Sequence, residues 1–345
     1  GWWGRAWIDS SSMTSSLLAR RIIFSAGTLL AHVRGAAVSR DALRAISAYK
    51  PLRATPELFE GDWPAEWFAP GYLDMREQLV AGNASAFYAF AREEGPEVFS
   101  YPLFTRMFCD LFLREVDNYK QSGLPIRRPN SMNNYGLIVN EIGMRDALSA
   151  LQRIHLLPVA QLLFPHVSSN FDDHHSFMVQ YKQGQDLGLD MHTDDSDVTF
   201  NVCLGREFEA AGLTFCGMRG QPDHRFFKFQ YQHEVGRVVV HSGDRRHGAD
   251  DIKSGERNNL IIWNHNLAWR SSEDRMKYMA SYAAEGAAPD PQCLSYTHDR
   301  DFKFFKTPPE GQQLRGWCPP QGREYPGFGE SPKPPKPTIS SQDEL

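Results

Sequence analysis

Residues 189–194 read Leu189-Asp190-Met191-His192-Thr193-Asp194, and two later stretches read Val238-Val239-Val240-His241-Ser242-Gly243 and His247-Gly248. Because successive residues of a strand point to opposite faces, His192 and Asp194 share one face. Two imidazoles and one carboxylate that hold one side of a metal, with the other side open, are typical of a non-haem Fe(II) site. We therefore predict a metal site formed by His192, Asp194 and His247.

The sequence around this stretch has the pattern of short strands. Val198, Phe200, Val202 and Leu204 alternate with polar or small residues, and residues 236–241 and 258–263 have the pattern of further strands. Many short strands broken by turn residues indicate a double-sheet jelly roll. Helical spacing of apolar residues predicts helices over 41–95, 103–120 and 144–162. The expected class is α+β, with a jelly-roll core supported by N-terminal helices.

Four segments follow from this pattern. We expect a targeting segment over residues 1–40 and a helical N-terminal region over residues 41–100. We expect residues 101–285 to form the domain that carries the metal site, with its core at 176–270, and residues 286–345 to form a Pro-rich, disordered tail.

The composition is that of an ordinary globular protein, with 41% hydrophobic residues and a net charge of -5. A negative net charge argues against a nucleic-acid partner, which requires a basic face. We expect no membrane span. The cysteines form no CxxC pair, and Cys293 and Cys318 flank a loop-rich stretch where a disulfide can form.

Arg257 lies ten positions after His247, where the last strand is expected to begin. Next to a metal, its guanidinium can hold a dicarboxylate through a bidentate pair, and Tyr181 can donate a hydrogen bond to the same acid. His241 is the rival of His247 for the second histidine position. His247 is preferred because of its interval to Arg257.

A polar loop, Arg128-Pro129-Asn130-Ser131-Met132-Asn133-Asn134-Tyr135-Gly136, precedes a short apolar run. Such a loop usually caps its own backbone through asparagine side chains. The alternative is that the loop enters the core and contacts the substrate, since functional residues favour loops.

Residues 176–270 resemble the Fe(II)/2-oxoglutarate-dependent dioxygenases of the prolyl and procollagen-lysyl hydroxylase type. The asparagine-rich loop and residues 180–187 and 198–205 are similar to an animal branch of that superfamily. The resemblance implies a double-stranded β-helix, iron ligands His192, Asp194 and His247, 2-oxoglutarate on Arg257, and L-ascorbate as reductant. The chain departs from the family at Ala211-Gly212, where Gly-Gly is usual, so the local turn geometry is in question.

The function expected from the resemblance is hydroxylation of a protein or peptide side chain, proline or lysine by analogy, with O2 consumed and succinate and CO2 released. Two alternatives are a catalytically idle jelly roll that binds a partner and a nucleic-acid-modifying dioxygenase. The idle jelly roll is disfavoured because His192, Asp194, His247 and Arg257 are all present. The nucleic-acid-modifying enzyme is disfavoured by the negative net charge.

The two ends of the sequence predict a location. Basic Arg20 and Arg21, the apolar run 22–33 and small residues after it resemble a secretory signal, although a mitochondrial transit peptide has similar features. The final Gln342-Asp343-Glu344-Leu345 is a variant of the KDEL retention signal. We expect the endoplasmic reticulum lumen, with cytosol and mitochondrion as alternatives.

Overall fold

A computed structural model of the chain describes residues 39–280 and 289–295. The predicted targeting segment, apart from its last two residues, lies outside this part of the chain, as do the C-terminal tetrapeptide and Cys318. The helices are α1 (Arg40–Tyr49), α2 (Tyr72–Val80), α3 (Ala84–Phe90), α4 (Arg106–Gln121), α5 (Arg145–Leu151), α6 (Leu157–Leu163), α7 (Leu267–Arg270) and α8 (Glu273–Ala280). In the described part of the chain, every helix is too short or too polar to serve as a transmembrane span.

Strands make up most of the remaining ordered structure. They are β1 (Arg92–Gly95), β2 (Val98–Pro102), β3 (Gly136–Ile138), β4 (Asp173–Lys182), β5 (Leu189–His192), β6 (Val198–Gly205), β7 (Phe208–Ala210), β8 (Leu213–Met218), β9 (Phe227–Tyr231), β10 (Arg237–Ser242), β11 (Arg245–Ala249) and β12 (Ile252–His265). The predicted strands at 198–204, 236–241 and 258–263 correspond to β6, β10 and part of β12.

The strands form two antiparallel sheets. The larger has the order β1-β2-β10-β6-β12-β4-β3, with β7 beside β12, and the smaller has the order β5-β11-β8-β9. From β4 to β12 the chain crosses repeatedly between the two sheets, which is the connectivity of a double-stranded β-helix. The expected α+β class and jelly-roll core are confirmed.

Two apolar layers lie on opposite faces of the larger sheet. One layer packs the helices against its outer face and includes Phe108 and Phe112 of α4 with Phe200 and Val202 of β6. The other fills the space between the two sheets and includes Phe215 of β8. Both faces of β6 are therefore covered, and all of its residues are buried. Its polar side chains face the space between the sheets.

Helix α4 follows the predicted helix closely. The Thr105 side chain accepts a hydrogen bond from the amide of Phe108 and so caps the first turn. The chain leaves the helix at Gly123, whose φ of 73° is left-handed. The apolar stripe buries Phe108, Phe112 and Val116 against the sheet, as expected from its spacing.

Two helical predictions need correction. The stretch predicted as helical over 41–95 ends in strand β1 at Arg92–Gly95, because β1 pairs with β2, which pairs with β10 in the larger sheet. The helix predicted over 144–162 is broken by a π-helical turn at Gln152–Leu156. Pro158 follows this turn and lacks the amide that a continuous α-helix would need.

The expected turn problem at Ala211-Gly212 is visible in the backbone. Ala210 and Ala211 have φ values of 65° and 59°, in the left-handed region that non-glycine residues rarely adopt. Ala211 is fully buried, so its methyl group packs in the inner apolar layer. This packing offsets the backbone strain that glycine would avoid.

The predicted partner of Cys293 is wrong. Cys293 forms a disulfide with Cys216 of β8, across a Cα–Cα distance of 6.1 Å. The sequence could not show this pairing, because 77 residues separate the two cysteines and only the fold brings them together. Residues at the start of the predicted disordered tail are thus packed: Cys293, Leu294 and Ser295 are buried. Cys109 and Cys203 are buried free thiols.

Candidate metal centre

Three side chains with metal-binding atoms meet between the sheets. His192 ends β5, Asp194 follows two residues later, and His247 lies on β11 directly opposite His192 in the strand register. Asp194 Oδ1 lies 3.4 Å from His192 Nε2 and 3.8 Å from His247 Nε2. Among the described residues, these three form the single group whose metal-binding atoms lie within 4.8 Å of one another.

Hydrogen bonds outside the group orient each ligand. The Nδ1–H of His192 donates to the Asp190 carbonyl oxygen at 2.8 Å, and that of His247 donates to the Arg245 carbonyl oxygen at 2.9 Å. A carbonyl oxygen can only accept, so both Nε2 atoms carry lone pairs toward the centre. The Thr199 hydroxyl donates to Asp194 Oδ2 at 2.6 Å and leaves Oδ1 facing the histidines.

Burial keeps the distal histidine neutral. It lowers the pKa of His247 to about 3, although Asp194 acts in the opposite direction. A neutral imidazole is the form that binds a metal. Two imidazole nitrogens and one carboxylate oxygen on one side of the site suit Fe(II) and leave other coordination positions free.

His241, the rival for the distal position, is fully buried beside this group. Its ring centre lies 4.6 Å from that of His247, and its Nδ1–H donates to the Ser242 carbonyl oxygen. Its Nε2 has no hydrogen-bond partner, yet His241 does not belong to the group that can bind a metal. The geometry therefore favours His247.

Arg257 lies in the same cavity as the three ligands. It is 1% exposed, pairs in register with Tyr181 of β4, and its guanidinium carbon lies 4.5 Å from the centre of the Tyr181 ring. The Nε and Nη2 atoms of Arg257 are buried without a hydrogen-bond partner. A buried cation without a counter-charge destabilises the folded protein, and a bound anion removes this destabilisation. The cavity therefore has the chemistry of an anion site.

The asparagine-rich loop caps its own backbone and also lines the cavity. Asn130 Oδ1 accepts the backbone amides of Met132 and Asn133, which caps the loop internally. Asn130 and Asn133 also line the cavity, and Asn133 Nδ2 donates to the Tyr181 hydroxyl at 3.1 Å. The loop ends at Gly136, where a Cβ atom would lie 1.9 Å from the Met178 carbonyl oxygen.

Several cavity residues were not predicted from the sequence. They are Thr199, Asn201 and Asn259, together with apolar residues such as Leu213 and Trp263. A signal was present in β6, where Thr199 and Asn201 alternate with large apolar residues. Asn259 lies two positions after Arg257 and therefore on the same face of β12.

Residues 289–295 contact the two strands, β5 and β11, that carry the histidine ligands. Besides the disulfide, the Cys293 carbonyl oxygen accepts from Arg246 Nε at 2.6 Å, and the Ser295 hydroxyl donates to Asp190 Oδ2 at 3.1 Å. Arg246 precedes His247, and Asp190 holds the ring of His192. The segment 289–295 thus contacts both strands of the metal centre.

A double-stranded β-helix with a His-Asp-His group between its sheets and a buried arginine in the same cavity defines a non-haem iron and 2-oxoglutarate oxygenase. Comparison with known proteins gives the family. A family model described as an OGFOD2-like domain matches residues 46–169. Human 2-oxoglutarate and iron-dependent oxygenase domain-containing protein 2 is 36% identical over 240 residues, which are 68% of this chain and 67% of that protein.

Two further relatives extend the comparison. The Arabidopsis thaliana 2-oxoglutarate and iron-dependent oxygenase domain-containing protein ICU11 is 32% identical over 277 residues, 77% of this chain and 67% of that protein. The rat multifunctional procollagen lysine hydroxylase and glycosyltransferase LH3 is 27% identical over 156 residues, 41% of this chain and 21% of that protein. The chain belongs to the family of 2-oxoglutarate and iron-dependent oxygenase domain-containing proteins, and it is an oxidoreductase.

Proposed function

We propose that the chain binds Fe(II) through His192, Asp194 and His247, binds 2-oxoglutarate on Arg257, and hydroxylates a protein side chain. The observation that carries the proposal is the burial of Arg257, with Nε and Nη2 unpartnered, in the cavity that also contains the three metal-binding groups. A dicarboxylate with one end on the metal and the other end on Arg257 would give the buried arginine nitrogens the partner that they lack.

Each residue has a separate task in this proposal. Arg257 binds the far carboxylate, and Tyr181, held by Asn133, lies beside it. Thr199 orients Asp194, while the walls formed by Phe177, Leu213 and their neighbours exclude water. When iron, 2-oxoglutarate and O2 are bound, they supply an oxidation in which a substrate C–H becomes C–OH and 2-oxoglutarate becomes succinate and CO2.

Hydroxylation is favoured over halogenation because Asp194 is a carboxylate. A carboxylate ligand in that position fills the coordination site that a halide would need. L-ascorbate is proposed as the reductant that keeps the iron ferrous. Ascorbate should therefore raise the number of turnovers before inactivation without changing the affinity for 2-oxoglutarate.

The proposed substrate is a lysine or proline side chain. The similarity to a protein named as a procollagen lysine hydroxylase supports this class. The test is succinate release by the purified chain with lysine- and proline-containing peptides, against matched peptides in which the residue is replaced by alanine. Succinate release that no peptide stimulates would contradict the substrate class, and no succinate under any condition would favour the idle binding module.

The proposed location is an oxidising compartment, the endoplasmic reticulum lumen. The buried Cys216–Cys293 disulfide supports it, because such bonds persist in oxidising compartments and are rare in the cytosol. A fluorescent protein placed between residues 13–39 and the last ten residues should remain in the reticulum, and deletion of Leu345 should release it to the medium. A cytosolic or mitochondrial fusion would contradict this location and leave the site assignments unaffected.

A further inference from the structure

The turn of the β1–β2 hairpin contacts a strand that carries a metal-binding histidine. Pro96 and Glu97 form this turn, between Gly95 of β1 and Val98 of β2. Arg245, the first residue of β11, donates from Nη2 to the Pro96 carbonyl oxygen at 2.9 Å and to Glu97 Oε2 at 3.0 Å. Although 148 residues separate Glu97 from Arg245 in the sequence, the hairpin turn thus contacts β11 directly.

Arg245 also orients His247. Its backbone carbonyl oxygen accepts the hydrogen bond from His247 Nδ1–H at 2.9 Å, which leaves His247 Nε2 facing Asp194 Oδ1 at 3.8 Å. The guanidinium of Arg245 is buried, and its Nη1 donates to the Cys216 carbonyl oxygen at 3.3 Å. Arg245 therefore joins the hairpin turn, through its side chain, to the metal-binding ring, through its main chain.

The ion pair between Glu97 and Arg245 is asymmetric. The side chain of Arg245 is 3% exposed, whereas that of Glu97 is 66% exposed. A buried cation needs an anion and fixed hydrogen-bond acceptors to be stable in one position. Glu97 supplies this anion from the surface, so its removal should allow the buried guanidinium to shift.

The backbone at Glu97 is in a conformation that favours glycine. Its φ is 56°, in the left-handed region that residues with a side chain rarely adopt. Glycine would adopt this conformation without the steric cost. Strained residues of this kind cluster at functional sites. The strain therefore points to a task of the Glu97 side chain other than forming the turn.

Aromatic packing forms a second link from the hairpin to His247. Gly95 lies against the ring of Phe229 on β9, so closely that a Cβ atom at residue 95 would overlap the ring. Phe229 stacks on Phe215 with ring centres 5.0 Å apart, and Phe215 stacks on His247 at 5.6 Å. Because this packing does not involve Glu97, the residue can be replaced without releasing the hairpin.

We propose that Glu97 is a positioning residue for the metal centre: through Arg245 it fixes the carbonyl oxygen that orients His247. The inference rests on the proposed function, because it concerns the same metal. It extends that function by giving the β1–β2 hairpin a part in metal binding. Glu97 acts indirectly, since Arg245 lies between its carboxylate and His247.

The test is calorimetric titration of the full chain with Mn(II), without O2. Glu97→Gln removes the charge and keeps the length of the side chain, and Glu97→Gly removes the side chain and relieves the left-handed backbone. We expect Glu97→Gly to weaken Mn(II) binding about tenfold, the lower end of the effect of an outer partner of a metal ligand. The loss in Glu97→Gln should be no larger, because glutamine still offers Arg245 an acceptor.

The order of these two variants separates positioning from folding. If Glu97 served only the fold of the hairpin, Glu97→Gly would bind Mn(II) better than Glu97→Gln, because glycine suits the turn. The visible absorption of Co(II) bound at the same site reports the arrangement of its ligands. This spectrum should shift in Glu97→Gly and should do so even at saturating Co(II).

Two further variants complete the test. Glu94→Gln is the matched control, because Glu94 lies in the same hairpin and accepts a hydrogen bond from the Ser100 hydroxyl. It should retain the Mn(II) affinity and the Co(II) spectrum of the wild type. Arg245→Lys keeps the charge and loses the planar fork. In this background Glu97→Gly should weaken Mn(II) binding less than it does alone, because the two residues act along one path.

The outcomes distinguish this inference from the proposed function. Unchanged Mn(II) affinity in Glu97→Gly, a smaller loss there than in Glu97→Gln, or an equal loss in Glu94→Gln would overturn the role of Glu97 while the wild-type protein still binds the metal. A wild-type protein that binds no Mn(II) would overturn the proposed function and the inference together.

Discussion

Arg257 and Tyr181 face each other in register on β12 and β4, and the guanidinium carbon lies 4.5 Å from the centre of the tyrosine ring. This contact holds a buried cation against an aromatic face and leaves two of its nitrogens unpartnered. The ring thereby stabilises the arginine without neutralising it. Arg257 therefore remains able to bind an anion.

Replacement of Arg257 should reduce co-substrate affinity. Arg257→Ala removes a buried, charge-assisted pair, so 2-oxoglutarate binding should weaken by roughly a hundredfold. Arg257→Lys should recover part of the loss, because it keeps the charge and loses the planar fork. Calorimetry on metal-loaded protein measures both variants, and an unchanged affinity in Arg257→Ala would remove this residue from the site.

Thr199 should influence metal affinity through Asp194. Thr199→Val removes the 2.6 Å hydrogen bond to Asp194 Oδ2 and retains the shape of the side chain. Loss of such an outer contact should weaken metal binding about tenfold to hundredfold. Thr214→Val is the matched control, since Thr214 makes a hydrogen bond of the same length to Asp250, outside the metal-binding group. Equal metal affinities in the two variants would argue against an orienting role for Thr199.

The disulfide should stabilise the fold. Replacement of both Cys216 and Cys293 by alanine should lower the free energy of unfolding by about 2–4 kcal/mol. Metal affinity should also decrease, because residues 289–295 contact Arg246 and Asp190 beside the two histidine ligands. Dithiothreitol should shift the denaturant midpoint of the wild type toward that of the double variant and leave the variant unchanged. A wild-type midpoint that resists full reduction would contradict this role.

Acid should destabilise the protein partly through His174. Its ring is bonded to the hydroxyls of Ser176 and Ser149, and burial lowers its pKa from 6.5 to about 4. The unfolded chain therefore takes up a proton at this position below pH 6.5, while the folded protein does so only near pH 4. The stabilising contribution is complete above this window and is lost as the pH falls through it, by about 1.4 kcal/mol per pH unit.

Urea unfolding at several pH values within this window measures the effect. His174→Gln should reduce the decrease in unfolding free energy on acidification. The exposed His166→Gln is the control and should retain the wild-type pH dependence. Identical profiles for the two variants would show that His174 does not contribute.

The sequence correctly predicted those helices and strands in which the spacing of apolar residues matches the sides that are buried in the fold. The stripe of α4 arises from one buried face, and the alternation of β6 arises because its apolar residues face the helices while its polar residues face the cavity, so local spacing was enough. Residues 92–102 could not be predicted as strands, because their pairing with β10 depends on residues far along the chain. Pro158 is a local signal for the break at Gln152–Leu156 in the helix predicted over 144–162. The helical spacing of the apolar residues nevertheless favoured a continuous helix.

The site shows the same division. His192, Asp194, His247 and Arg257 follow from spacing, and the structure brings them into one cavity. The positions of Asn201 and Asn259 in the cavity depend on which strands lie side by side, as does the pairing of Cys216 with Cys293. Contacts of this kind depend on the order of the strands in the sheets, and local sequence patterns do not determine that order.

We propose that one cavity binds a metal on His192, Asp194 and His247 and an acid on Arg257. The most direct test is an oxygen-free calorimetric titration of the purified chain, first with Fe(II) and then with 2-oxoglutarate. We expect one Fe(II) per chain, 2-oxoglutarate binding that strengthens sharply once the metal is present, and loss of both in Asp194→Ala. Full Fe(II) binding by Asp194→Ala, or 2-oxoglutarate affinity that does not depend on the metal, would contradict this assignment of the site.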